Sequence, residues 1–187
     1  MFARTSVVRS AVRRRYFSPA HHMWIVPIPE ALTPPTPGGR HRPPSTYRVE
    51  VGLTSRGLRD VGDVSSIRPA AAVGEPVSRD GPLLFLEWDG LVVTSADELY
   101  HTTWENTEGT QDVASPVGGV LEDVGEAHPY FGIDETDVLA SVIARREDVE
   151  AVAGGWVGEE EYRRILEEDG AGVEEGRFTP AEGGWSG

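Results

Sequence analysis

The amino-acid sequence predicts a mainly β protein, a compact barrel or sandwich with short peripheral helices. Three observations predict this class. Short apolar runs recur through the middle of the chain, several of them with the alternation of a half-buried strand. Turns that contain glycine separate these runs, and helical periodicity appears only after residue 145.

The first clear strand precedes a short helical turn. Alternate residues of this strand are apolar or aromatic and predict one buried face: Tyr47, Val49, Val51 and Leu53. Thr54 is placed to cap a helical turn through Leu58 that ends at Gly62. Ahead of the strand, residues 27–46 are dense in proline, which lacks a backbone donor, so we expect a surface loop there.

Two β-hairpins are predicted in the middle of the chain. The runs 83–88 and 91–94 are joined by Asp89-Gly90, a strong signal for a two-residue hairpin turn. A second hairpin is predicted where a strand ending at Trp104 meets the turn 107–109, which is followed by the run 113–117. That turn places Glu108 at the tip of the hairpin.

The last predicted elements are one strand and two helices. Residues 139–144 read as a strand, and the segments REDVEAVAGG and GEEEYRRILEEDG as short helices. The second helix carries Tyr162, Ile165 and Leu166 on one side. Residues 171–187 are acidic and rich in glycine, which predicts a disordered tail.

Composition excludes several kinds of chemistry. The chain has no cysteine, and its 17 lysine-or-arginine residues are all arginine. Disulfides, thiolate metal sites, Schiff bases and lipoyl or biotinyl amides are therefore excluded on this polypeptide. The 31 acidic residues give a net charge of −14, concentrated after residue 50, so we expect no nucleic-acid binding by the folded part. Such a surface favours solubility or, alternatively, a basic partner. No apolar run is long enough to predict a membrane span.

The first 17 residues have the composition of a mitochondrial transit peptide. They are basic, free of acidic residues and mixed with apolar ones, so we expect cleavage near Phe17-Ser18; the alternative is an ordinary basic tail. In the first interpretation the folded domain spans residues 18–170.

Five short motifs together resemble the H protein of the glycine cleavage system, the lipoyl-bearing carrier of mitochondria and bacteria. They are, in order, His22-Met23-Trp24-Ile25, Val51-Gly52-Leu53-Thr54, Val61-Gly62-Asp63-Val64, Ser115-Pro116-Val117-Gly118-Gly119 and the closing segment 158–168. The resemblance covers roughly residues 22–169. It implies a barrel-sandwich hybrid fold, as in lipoyl and biotinyl carriers, and a place in the mitochondrial matrix. The chain departs from the family pattern at Met23, in the proline-rich loop and in an inserted segment, residues 83–97.

In this family the lipoyl lysine lies in an E-S-x-K motif upstream of S-P-V-S-G. Counting back from Ser115 without gaps places Glu108 at the lysine position. A competing register begins at Glu87, puts Gly90 at the tip and needs insertions afterwards. Neither register supplies an amine, so we expect a relative that carries no lipoyl group and no other cofactor. The predicted partner-binding hairpin consists of Trp104, Glu105, Asn106, Thr107, Glu108 and Gly109.

The resemblance implies a non-catalytic binding, scaffold or regulatory module for glycine decarboxylase or other lipoyl-handling enzymes. The alternative is a structural accessory subunit of a large mitochondrial assembly, which uses the inserted segment and the proline-rich loop as contact surface. A third hypothesis is an enzyme in which Glu87, Asp89 or Glu105 acts in a cleft, but the sequence shows no paired nucleophile and base.

The remaining candidate residues favour structural roles. Four histidines have no metal-ligand spacing, and no metal is expected: His21, His22, His101 and His128. The acidic runs 159–161 and 167–169 lack the spaced loop of a calcium site. Trp88 and Trp104 are expected on a sheet face or in the core; alternatively, the pair anchors a partner.

Overall fold

The computed structural model describes residues 14–30, 45–58, 63–96, 102–128 and 132–174, and for residues 91–96, 102–107 and 170–174 it describes the backbone alone. Nine strands precede two helices. In chain order they are β1 (Tyr16–Ser18), β2 (Met23–Pro29), β3 (Thr46–Leu53), β4 (Asp63–Pro69), β5 (Pro76–Val77), β6 (Pro82–Ala96), β7 (Thr102–Ala114), β8 (Gly119–Val124), β9 (Ala140–Arg145), α1 (Arg146–Ala153) and α2 (Glu159–Glu174).

The strands form two open antiparallel sheets. The larger has the order β1-β2-β3-β9-β8-β5, and the smaller has the order β4-β6-β7. The predicted class, mainly β with short helices, is confirmed, and the arrangement is sandwich-like because neither sheet closes into a barrel. The strand predicted from Tyr47 to Leu53 corresponds to β3, and both late helices are present as α1 and α2.

One hydrophobic core joins the two sheets. It takes apolar side chains from both of them and from α1, among them Ile25, Val49, Val51, Leu84, Leu86, Val113, Val142 and Val152. The alternation of apolar residues in β3 therefore reflects one buried face, as predicted, because Val49 and Val51 face this core. The helical turn predicted after β3 begins as expected, with the Leu58 amide donating to the Thr54 carbonyl at 3.0 Å, and its predicted end at Gly62 lies outside the described residues.

A second, smaller cluster joins the two ends of the chain. Phe17 of β1 stacks on Tyr162 of α2 with ring centroids 5.0 Å apart, and Trp24 and Val26 of β2 complete the buried group. The amide and carbonyl of Phe17 also exchange hydrogen bonds with Val157 just before α2. These contacts hold α2 against the edge of the larger sheet.

Trp24 fixes the pairing of β2 with β3. It lies opposite Gly52, where an added Cβ would be 2.2 Å from the indole ring, so only glycine leaves room for the ring. The indole N–H donates to the carbonyls of Leu53 at 3.0 Å and Glu135 at 2.9 Å. The side chain thereby ties the loop before β9 to the sheet.

The predicted boundaries of the proline-rich loop are wrong at both ends. Residues 27–29 belong to β2 and Thr46 begins β3, while residues 31–44 lie outside the described part. The prolines are tolerated because β1 pairs with β2 only as far as Ile25, so that Pro27 and Pro29 lie where β2 has β3 as its one neighbour.

The two predicted hairpins are replaced by one long antiparallel pair. Strand β6 runs through Asp89-Gly90 without turning, and β7 runs through the predicted turn 107–109, with Gly90 opposite Thr107. The inserted segment 83–97 is therefore largely the strand β6. Cross-strand pairing over the whole length outweighs the local turn preference of an Asp-Gly pair.

The predicted domain boundaries overlap folded elements. Residues 1–13 and 175–187 lie outside the described part of the chain. Tyr16 and Phe17, placed in the expected transit peptide, belong to β1, and residues 171–174, placed in the expected tail, belong to α2. Cleavage after Phe17 would remove two of the three residues of β1. Neither of the two helices, over the residues described, has the length and apolarity needed to cross a membrane.

Replacing the stacked phenylalanine should destabilise the protein. Phe17→Ala removes a ring that is 6% exposed, so we expect the free energy of unfolding to fall by about 3 kcal/mol in urea denaturation. Val73→Ala, at a site 60% exposed, is the control and should change it by less than about 0.5 kcal/mol. Equal effects of the two substitutions would show that β1 does not contribute to the fold.

Candidate functional site

The candidate site is the part of the β6–β7 pair that extends past the rest of the smaller sheet. Strand β4 pairs with β6 only between Leu84 and Asp89. Beyond that point β6 and β7 pair with each other alone, from Gly90 opposite Thr107 to Ala96 opposite Thr102. We call residues 90–96 and 102–107 the ribbon. Seven residues of β6 at about 3.3 Å each give it a reach of about 23 Å.

The base of the ribbon is fixed by a tryptophan packed on a glycine. Trp88 of β6 lies opposite Gly109 of β7, and a Cβ at Gly109 would be 2.2 Å from the indole ring. Trp88 also packs against the main core, which confirms its predicted sheet-face position. The same arrangement holds Trp24 on Gly52 in the larger sheet. The register of β6 against β7 therefore has a specific steric cause.

Glu108 does not lie at a hairpin tip, so that prediction is wrong. It is in the middle of β7, opposite Asp89, which in turn pairs with Asp63 of β4. The competing tip, Gly90, also lies within a strand. The connection between β6 and β7, residues 97–101, is outside the described part. The six predicted hairpin residues, 104–109, instead follow one another along β7.

The outer face of the smaller sheet is acidic. Arg68 is a cation on this face, and it donates a hydrogen bond to Glu87 at 3.3 Å. Its guanidinium lies 4.5 Å from the centre of the Phe85 ring. Hydrogen bonds from Ser66, at 2.7 Å, and from Arg68 lower the pKa of Glu87 and keep it ionised.

Three further carboxylates on this face are exposed and form no ion pair with any residue that the structure describes: Asp89, Glu108 and Asp112. The face therefore carries uncompensated negative charge at the base of the ribbon.

A second polar cluster lies where α2 meets the turn between β1 and β2. The Tyr162 hydroxyl is 2.9 Å from Thr54 Oγ1 and 3.0 Å from His22 Nδ1, and Thr54 Oγ1 donates to the His22 carbonyl at 2.8 Å. With the single threonine proton used on that carbonyl, the Tyr162 hydroxyl donates to Thr54 and accepts from the His22 N–H. Burial raises the pKa of Tyr162, and burial followed by the charge of Arg56 lowers the pKa of His22.

A cleft of about 210 Å³ opens beside this cluster. Its walls include Arg15, Phe17, Trp24, Thr54, Glu135 and Tyr162. The Arg15 guanidinium lies 4.3 Å from the centre of the Trp24 ring. Sequence reasoning missed this cluster, because its members are far apart along the chain. The signal that could have found it is that His22, Thr54 and Tyr162 each lie in one of the five motifs.

Two of the candidate acids and histidines that the structure describes are engaged with neighbouring side chains. Glu87 is engaged with Ser66 and Arg68, and His22 bonds to Tyr162. Over the described ranges, no three histidine or carboxylate side chains are grouped so as to hold a metal ion. His101 lies outside these ranges, and the side chains of Trp104 and Glu105 are not among those described.

No protein-family model matches the chain, and no curated protein matches it. The resemblance to H proteins therefore depends on the five motifs in the sequence.

Adding a methyl group under Trp88 should weaken the β6–β7 pair. Gly109→Ala forces the ring to move, and we expect the free energy of unfolding to fall by about 1–3 kcal/mol in urea denaturation. The matched control is Gly118→Ala, where the nearest atom is 3.7 Å away and little change is expected. Adding Trp88→Val to Gly109→Ala should give non-additive effects, because the clash then disappears. Additive effects would exclude steric contact as the cause.

The lowered pKa of His22 makes stability depend on pH. Because the folded state disfavours the protonated ring, the stabilisation is complete above pH 6.5, the ordinary pKa of histidine, and is lost as pH falls through the lower pKa of the folded state. We expect the urea midpoint to decrease as the pH falls below about 6.5. His22→Asn, which tolerates the backbone φ of 50°, should flatten this dependence. An unchanged profile in His22→Asn would assign the pH dependence to other groups.

Proposed function

We propose that this chain is a non-catalytic, non-lipoylated protein-binding module of the mitochondrial matrix, similar to the H protein of the glycine cleavage system, and that its ribbon contacts glycine decarboxylase or another lipoyl-handling enzyme. The observation that carries the proposal is the position of the ribbon. Strand β7 leads directly into Ser115-Pro116-Val117-Gly118-Gly119, the motif that follows the lipoyl hairpin in the resembling family. The ribbon thus precedes this motif along the chain, as the carrier hairpin does in the resembling family.

The absence of lysine decides against a carrier role. Lipoate is attached through an amide to a primary side-chain amine, and no residue in the chain provides one. A carboxylate such as Glu108 cannot accept the acyl group. The ribbon therefore acts as a fixed contact surface, which binds a partner protein without transferring a reaction intermediate.

The environment of the acidic residues supports a binding role over an enzymatic one. Asp89, Glu108 and Asp112 are exposed on the open outer face of a sheet. Catalytic acids and bases act in concave sites that exclude water and shift their pKa values toward neutrality. The one clear shift on this face lowers the pKa of Glu87 and moves it away from that range. An open acidic face instead suits a partner of opposite charge.

The second candidate function is that of a structural accessory subunit in a large mitochondrial assembly. The observation that favours it is the reach of the ribbon, about 23 Å beyond the region covered by β4. An arm of this length is able to contact a neighbouring subunit at a distance from the main core. The two candidates share the ribbon as the contact surface and differ in the partner.

Shortening the ribbon should abolish partner binding while the domain stays folded. Residues 91–106 are replaced by Asn-Gly, which closes a two-residue hairpin between Gly90 and Thr107. We expect the tagged full-length chain to recover glycine decarboxylase or another lipoyl-handling enzyme from mitochondria, and the shortened chain to recover neither. The control is Arg163→Ala on α2, remote in sequence from the ribbon, which should leave recovery unchanged.

Three outcomes contradict the first candidate. Recovery of a respiratory or ribosomal complex, with co-migration on a native gel, favours the accessory subunit. Equal recovery of any partner by the full-length and shortened chains excludes the ribbon as the contact surface. Intact mass of the recovered chain checks the chemistry, since an added lipoyl group would contradict the non-lipoylated assignment.

A further inference from the structure

Four strands lie outermost in the two sheets, and three of them are protected against pairing with another chain. Strand β1 has three residues and β5 has two, which leaves little edge to extend. Strand β4 is interrupted by an irregularity between Val64 and Ser66 and ends in Pro69. Short length, bulges and proline are the usual means of blocking an edge.

The fourth edge, β7, has none of these devices. It contains 13 residues and no proline, and its pairing with β6 shifts register at two points. At both points the extra residue belongs to β6, because Leu83 and Thr94 are the residues skipped in the pairing. Strand β7 is thus regular along its length, and its far side has no strand partner among the described elements.

The backbone groups that β7 presents at this free edge follow from its alternation. The Ser115 amide donates to the Gly81 carbonyl, and the Ser115 carbonyl accepts from the Asp80 amide, so Ser115 faces the β6 side. In a regular strand the neighbouring residues alternate in direction. The N–H and C=O groups of Ala114, Asp112, Thr110 and Glu108 therefore point to the free edge. Pro82, which lies opposite Ala114, supports this assignment. Proline has no N–H, so it could not donate a hydrogen bond to the Ala114 carbonyl.

The side chains of the same edge residues specify the charge of the partner. Glu108, Thr110 and Asp112 are exposed on the outer face, where they are neighbours along one line. Two copies of β7 paired antiparallel about Thr110 would place Glu108 of each copy opposite Asp112 of the other. Like charges directly opposite are destabilising, so the edge disfavours a second copy of this chain and favours a basic segment.

We propose that β7 binds an extended segment of a partner protein by strand addition, and that this segment carries arginine or lysine at two positions four residues apart. The two cations lie opposite Glu108 and Asp112, and the residue midway between the cations lies opposite Thr110. Backbone hydrogen bonds to the free edge provide affinity, and the two charge pairs fix the register. The inference rests on the proposed function, since it specifies how the β6–β7 pair recognises its partner.

The first test uses a synthetic probe and the unmodified full-length chain. The probe is a short peptide rich in threonine and valine, with two arginines four residues apart. We expect it to bind at least tenfold more tightly than the same peptide with glutamates at those positions, as measured by isothermal titration calorimetry. Methylation of its alternate backbone nitrogens on the edge that meets β7 should abolish binding. Equal binding of the methylated and unmethylated arginine peptides would overturn strand addition in favour of charge attraction alone.

The second test changes the edge itself. Thr110→Pro removes a donor that points to the free edge and leaves the hydrogen bonds to β6 in place, so the arginine peptide should no longer bind while the far-UV circular dichroism spectrum stays unchanged. The double substitution Glu108→Arg and Asp112→Arg should reverse the preference, so that the glutamate peptide binds more tightly. An unreversed preference, or a concentration-dependent dimer of the original chain formed through β7, would overturn the proposal.

The same variants separate this inference from the proposed function. If the shortened ribbon loses the mitochondrial partner while Thr110→Pro retains it, the ribbon binds its partner by another mode, and strand addition at β7 is wrong. If both variants retain the partner while the arginine peptide still requires the free edge, the edge is a binding site and the ribbon assignment is wrong.

Discussion

The packing of Trp88 on Gly109 is the contact on which the geometry of the ribbon depends. A shift of one residue in the pairing of β6 with β7 would turn every side chain of β7 to the opposite face. Val113 would then leave the core, and Glu108 and Asp112 would enter it, at a large cost for unpaired buried charge. The indole fits only over a residue without a side chain, so the glycine selects one register. A local steric fit thus determines which groups the whole arm presents to solvent.

The contact between Phe17 and Tyr162 has a comparable effect at the other end of the domain. It joins the first strand to the last helix and closes the smaller apolar cluster around Trp24. This contact sets a physical limit on the proposed transit-peptide cleavage, because a new N-terminus at Ser18 would expose Tyr162 and Trp24 to solvent. Removal of the residues before Arg15 would keep Phe17 on Tyr162 and the Arg15 guanidinium over Trp24. The composition of the first residues and the packing of β1 thus favour different cleavage points.

The sequence predicted the elements with clear periodicity and failed where distant residues decide the structure. Strand β3 and both helices were found because their apolar residues repeat at the strand and helix periods and face a core. The hairpin turns were wrong because Asp89-Gly90 and the segment 107–109 are local signals, overridden by pairing partners about 20 residues away in sequence. The predicted position of Glu108 at a hairpin tip was wrong for the same reason. The cluster of His22, Thr54 and Tyr162 was not predicted, since two of its hydrogen bonds join residues more than 100 positions apart.

The charges on β7 oppose pairing of this open edge with a second copy of the chain. A regular strand of 13 residues without proline is a template for aggregation unless something opposes it. Here the opposing device is electrostatic, because acids at positions 108 and 112 repel a second copy and the net charge of −14 adds to that repulsion. A bulge or a proline would block every partner alike, whereas carboxylates block acidic strands and attract basic ones. Protection by charge therefore allows β7 to pair with a basic strand and prevents it from pairing with an acidic one. A strand with a purely structural role would not need this selectivity.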